Sequence, residues 1–95
     1  MQEAVKYLLN NLTELTAYLS KTERNTLAGI IKNNLIERKP AKVQNGKLRH
    51  FDCSTTINSK RISIEVNILE TRYRKTTAWF TLVDILNQKY VSITI

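Results

Sequence analysis

At Pro40 the hydrophobic period of this chain changes, and that change restricts the fold more than any other feature. Before it, Val5, Leu8, Leu9, Leu12, Leu15 and Leu19 recur at spacings of three and four. That is the apolar stripe of an amphipathic helix. Leu27, Ile30, Ile31 and Leu35 repeat it. After Pro40, Ile62, Ile64, Val66 and Ile68 alternate with Arg61, Ser63, Glu65 and Asn67. A period of two belongs to a strand with one buried face. Between the two helical stripes stands Ser20-Lys21-Thr22-Glu23, a capping box in which Ser20 accepts from the Glu23 amide and Glu23 reaches back to the Ser20 amide. A helix over 3–19 is therefore expected to give way at once to a second. Pro40 ends the second, because proline disfavours helical backbone at Lys39. The chain reads as one α+β domain over 1–95, with a helical hairpin over 1–39 and an antiparallel sheet over 40–95.

The turns set the order of the sheet. Asn45-Gly46 suits a type I′ turn, with positive φ at both central residues, joining a short strand at 41–44 to a longer one from Lys47. A two-residue turn at Asn58-Ser59 sets Ile57 opposite Lys60, Thr55 opposite Ile62, Cys53 opposite Ile64 and Phe51 opposite Val66. A loop at 72–75 then sets Ile68 opposite Trp79, Val66 opposite Thr81, Ile64 opposite Val83 and Ile62 opposite Ile85. Slipping either pairing by one residue would turn every side chain to the other face. Residues 77–88 also fit a helix capped by Thr77, with Trp79, Leu82, Val83 and Leu86 on one side. The register match and the β-branched content favour a strand. A turn near Asn87-Gln88 leads to a last strand at 89–95. The expected architecture is a meander of four main strands, preceded by the short one, with helices on one face.

The 95 residues suffice for one modest core, and a 42% hydrophobic content is that of a globular chain. A single cysteine, Cys53, excludes an intramolecular disulfide and fits a reducing compartment. There is neither the start of a signal peptide nor an apolar run of about 18 residues. The expectation is a cytoplasmic protein without a membrane partner. With only Gly29 and Gly46, no glycine-rich phosphate cradle can form, and no zinc spacing or nucleophile elbow is present. No cofactor or metal is expected, and a nucleotide-dependent enzyme is disfavoured.

Charge is the main clue to partners. Fifteen Lys and Arg against eight Asp and Glu give +7, a balance that favours polyanions. Residues 38–51, RKPAKVQNGKLRHF, hold five of those basic residues and no acid. The meander brings the 45–46 turn and the 72–75 loop to one end of the sheet. That end gathers Lys42, Lys47, Arg49, Arg72, Arg74 and Lys75, with Tyr73 placed to stack on a base. The plainer reading is that Arg38 and Lys39 complement the dipole at the end of the second helix and that the rest are solvated loop charges.

Other residues say less. Alternation puts His50 and Asp52 on one face and Cys53 on the other, so Cys53 reads as a small core residue. Asp52 opposite Glu65 could raise a carboxyl pKa. With a two-residue turn at 87–88, Phe80, Leu82, Val91, Ile93 and Ile95 fall on the sheet face away from the helices. They then form a dimer or partner patch, unless a longer turn or a bulge rotates the last strand inward.

Three functions fit these residues. The first is a small basic non-enzymatic binding protein, of a size common among regulators from phages and other mobile elements. It would act on nucleic acid or on an acidic surface of a nucleoprotein complex. The second is a protein-directed inhibitor or anti-defence factor that blocks a nuclease complex. The third rests on element order alone: two helices before an antiparallel sheet on a small basic chain are similar in layout to metal-independent ribonuclease toxins of the RelE kind. That resemblance would give roles in phosphate stabilisation and proton transfer to Lys47, Arg49, His50, Arg61 and Tyr73. The expected element order opens on a helix, without the strand that precedes the helices in that family.

Overall fold

The computed structural model describes residues 2–72, 77–86 and 88–94. The fold is α+β, with short N-terminal helices packed on one face of an antiparallel sheet. The helices are α1 (Gln2–Asn10), α2 (Leu12–Leu15) and α3 (Lys21–Asn34). The strands are β1 (Ile36–Glu37), β2 (Ala41–Val43), β3 (Gly46–Ile57), β4 (Lys60–Thr71), β5 (Thr77–Asp84) and β6 (Lys89–Thr94). Their order is β1-β3-β4-β5-β6, with β2 also on the outer edge of β3. Residues 77–84 are a strand, as the β-branched content implies. No helix among the described residues is long and apolar enough to cross a membrane.

The helical half departs from the sequence expectation in two places. The stripe over 3–19 is not one helix. At Asn11 the backbone leaves helical geometry, and the Asn11 side chain donates to the Tyr7 carbonyl at 2.8 Å. Thr16 turns its hydroxyl onto the Leu12 carbonyl. Short polar side chains that bond their own backbone compete with helix in this way. The stripe still does its work, since Leu8, Leu12, Leu15 and Leu19 are all buried. The second helix stops at Asn34, well before Pro40, because Ile36 and Glu37 pair with Asp52 and Phe51 of β3. Ladder bonds and two ion pairs, Glu37–Arg49 and Arg38–Asp52, outweigh one more turn of helix. Arg38 and Lys39 therefore lie beyond the helix end and do not complement its dipole.

The start of α3 is as expected. Ser20 Oγ accepts from the Glu23 amide at 3.1 Å, and Glu23 Oε1 accepts from the Ser20 amide at 3.0 Å. Glu23 does more than cap. It is buried, and it takes Lys60 Nζ at 2.6 Å and Asn58 Nδ2 at 3.2 Å, tying α3 to the turn between β3 and β4. The Lys60 hydrogen bond first, then the Ser20 amide, holds its carboxyl down at about 2. A carboxylate depressed in the folded state stabilises fully above its unfolded value and loses that contribution as pH falls through its folded value. Urea midpoints should therefore fall as pH drops from about 4.5 towards 2. Glu23→Gln should start lower at neutral pH and fall less across that window. Ser20→Ala, which removes only the cap, should cost about 1 kcal/mol.

The β3–β4 register is the expected one throughout, from Ile57↔Lys60 to Phe51↔Val66. Its turn residues Asn58 and Ser59 both take positive φ, 49° and 67°, as a type I′ turn requires. The Asn45-Gly46 turn is shifted by one. Val43 pairs with Gly46, so Gln44 and Asn45 form the turn and only Asn45 is left-handed, at φ 63°. Gly46 is already in β3, without positive φ. Glycine is needed there for space, because a Cβ would sit 1.9 Å from the Glu70 carbonyl oxygen.

The β4–β5 register differs from expectation by one residue. Val66 faces Phe80, Ile64 faces Leu82 and Ile62 faces Asp84. Phe80 and Leu82 are thus fully buried against the helices, while Trp79, Thr81 and Val83 turn outward. β6 keeps step, with Phe80↔Ile93 and Leu82↔Val91. Val91 and Ile93 consequently pack against the same core. The apolar patch of Phe80, Leu82, Val91 and Ile93 is not on the outer face, and Ile95 lies outside the described residues. The physical reason is the loop. Leu69 pairs with Thr77, which leaves seven residues to close the turn and frees the register from turn geometry.

The long axis of the molecule is 42 Å against 22 and 21 Å for the others. Twelve-residue strands span about 40 Å, whereas the 14 residues of α3 span about 21 Å. The helices lie over only part of the sheet. Residues 41–47 are all exposed and form its uncovered end.

Candidate nucleic-acid interface

The uncovered end is where β2, the start of β3 and the end of β4 meet. Lys42 stands directly opposite Lys47, and Gly46 stands opposite Thr71. The Arg72 amide donates to the Asn45 carbonyl at 2.9 Å, so the turn and the following loop are physically joined. A groove of about 690 Å³ opens here, between Pro40, Lys42 and Asn45 on one side and Lys47, Glu70 and Arg72 on the other. Lys42, Lys47 and Arg72 make no ion pair among the described residues. Tyr73, Arg74 and Lys75 lie outside the described residues.

Arg49 has a different position. Its guanidinium is held by Glu37 through Nε and Nη2, both at 3.1 Å, and by Glu70 through Nη1 at 3.0 Å. The side chain is only 17% exposed and lies over the Phe51 ring, 5.0 Å from its centroid. These bonds hold the Glu37 carboxyl below the usual carboxylate range, Arg49 being the first cause. Arg49 is a strut that closes the core edge beneath the groove. Its charge is already paired with two carboxylates. Sequence reasoning missed both acidic partners, although Glu70 was accessible to it: the expected register sets Glu70 opposite Lys47, one diagonal from Arg49.

On the outer face, His50 uses both ring nitrogens, Nδ1 with Asn67 Oδ1 at 2.8 Å and Nε2 with Asp52 Oδ2 at 3.2 Å. Asp52 also takes Arg38 through Nη2 at 2.8 Å and Nε at 3.0 Å. Arg38 pulls the Asp52 carboxyl down, so the upward shift expected from its cross-strand neighbour Glu65 does not occur. Cys53 is buried in the core, and burial raises its thiol pKa.

The described residues named by the ribonuclease resemblance do not all converge, and Tyr73 lies outside them. Arg49 and His50 point to opposite faces of β3, and Arg61 pairs with Thr56 towards the far end of the sheet. Among the described residues no three His, Cys, Asp or Glu side chains form a metal-ligand set. Compared with protein-family models, with curated proteins and with solved structures, the chain matches none of them.

Proposed function

We propose that the chain is a small basic binding protein that grips the phosphates of a nucleic acid at the uncovered sheet end and performs no chemistry on it. The observation that carries this reading is the Lys42–Lys47 pair. Like charges directly opposite on a strand pair destabilise the sheet. Arg38, Arg49 and Lys60, by contrast, each meet an acid. Two opposed lysines that make no ion pair among the described residues, although Glu70 stands opposite Lys47 on its other side, lie beside Arg72 and a groove and are suited to an anion running between them. Lysine is a flexible point charge that fits a phosphate without reading a base.

Binding should weaken steeply with salt, because each neutralised phosphate releases condensed counterions. At about 0.9 per contact on duplex DNA, Lys42, Lys47 and Arg72 give a log–log slope of about −2.7, and Arg74 and Lys75 would extend it to about −4.5. Replacing Lys42 and Lys47 together by Ala should make the slope shallower by about 1.5 to 2 units. Thermal stability should stay the same or rise, since a like-charge pair is removed. Fluorescence anisotropy on labelled duplex and single strands, from low to physiological salt, measures this. Absence of binding at low salt, or a wild-type slope in the double variant, would refute the reading and favour docking on an acidic protein surface.

A further inference from the structure

The sheet has two edges, and they are built differently. On one, β1 and β2 are pieces of two and three residues, separated by Arg38, Lys39 and Pro40. Short pieces, charge and proline are the usual means by which an edge is kept from pairing with another chain. The other edge is β6, Lys-Tyr-Val-Ser-Ile-Thr. It is six residues long, has no Pro, no Gly and no acid, and its single charge, Lys89, sits at the start. Among the described residues nothing pairs with its outer side. Val91 and Ile93 close the core from this edge and remain half-buried, and Tyr90 is 68% exposed.

We propose that β6 is the seam of a homodimer, in which two copies run β6 antiparallel to β6 about a two-fold axis at Ser92 and join their sheets into one. The strand is self-complementary in that register. Ser92 lies opposite Ser92 of the other copy. Val91 meets Ile93, twice, on the helix side, completing two cores that are open at the edge. Tyr90 meets Thr94, twice, on the outer side, an aromatic–β-branched pair that favours antiparallel sheet. The two Lys89 residues go to opposite ends of the seam, so no like charges face each other. A self-matching surface of this kind is what an isologous two-fold contact requires. The proposal is independent of the basic groove, which lies at the uncovered end and remains accessible in the dimer.

Sedimentation at tens of micromolar should give about twice the 11.0 kDa chain mass. Ser92→Lys puts two cations face to face on the axis. It should raise the dimer dissociation constant about tenfold or more while leaving the thermal melt of the monomer cooperative, because Ser92 is exposed. Ser92→Cys should cross-link to itself under mild oxidation. Thr94→Cys should not, since its counterpart would be about 13 Å away along the strand, beyond disulfide reach. A wild-type monomer would overturn the proposal, whether or not it captures an added strand peptide at β6. So would Thr94→Cys cross-linking as readily as Ser92→Cys, which would mean a different register or a different seam.

Discussion

Phe80→Ala should lower the unfolding free energy by about 3–5 kcal/mol, among the largest losses expected from a single truncation in this chain. A domain of this size holds only about 5–15 kcal/mol in total, so the variant should lose about a fifth or more of its urea midpoint. The reason is position. Phe80 is fully buried, faces Val66 on β4 and Ile93 on β6, and lies beneath the helices. Removing the ring deletes apolar contacts and leaves a cavity that strands fixed on both sides cannot close. Phe80→Glu should leave no cooperative transition at all, because an unpaired carboxylate would be buried there. The control is Trp79→Ala. Trp79 is one residue away and larger, but it sits on the outer face and is only half-buried. Its loss should cost clearly less than that of Phe80. The opposite order would mean that the strand pairs in the register with Trp79 inside.

That register is also where sequence and structure part, and the cause is specific. Between β3 and β4 the turn has two residues, and Asn58-Ser59 can only close it one way, so each pair from Ile57↔Lys60 upward follows. Between β4 and β5 no such constraint exists. Both faces of 77–84 carry apolar side chains, Trp79 and Val83 on one and Ala78, Phe80 and Leu82 on the other, so alternation cannot choose between them. The expected register sets Ile85 opposite Ile62, where the structure has Asp84. The observed register buries it completely, opposite Ile62. Tyr18 lies near it, and its hydroxyl is pushed up to about 12 by burial and then by the Asp84 charge. A tertiary neighbour 66 positions away in the chain is invisible to local patterning. The same holds for the end of α3. Its termination at Asn34 depends on the Glu37–Arg49 and Arg38–Asp52 pairs, which exist only once β3 is in place.

The meeting of the 44–45 turn with the end of β4 at Arg72, by contrast, was legible, because it follows from strand order alone. What was not legible is how tightly they meet. Gly46 shows this. Asn-Gly pointed to a turn that needs glycine's freedom at positive φ, yet Gly46 adopts none. It is required by the approach of β4, whose Glu70 carbonyl oxygen would lie 1.9 Å from an added Cβ, with Thr71 Cα at 2.8 Å.

Gly46→Ala should therefore act differently from every other change at this end. The three nearest atoms all belong to the backbone, so no side chain can swing aside and the ends of β3 and β4 must separate. Overpacking of this sort costs about 1–3 kcal/mol. Its effect should be local, because the core cluster begins at Phe51, five residues further along β3. The first casualty is the Arg72 amide bond to Asn45, which holds the loop against the turn. Hydrogen exchange should report it directly, with protection lost at Arg72 and kept at Phe51 and Val66. Nucleic-acid affinity should fall with it, since Arg72 would no longer be held beside Lys42 and Lys47. The salt slope should drop by about one unit, the share of one phosphate contact, not by the 1.5 to 2 units of the double lysine variant. Full protection at Arg72 in Gly46→Ala, at unchanged stability, would show that the two loops are not held together by this contact. The basic end would then need another account of how its charges converge.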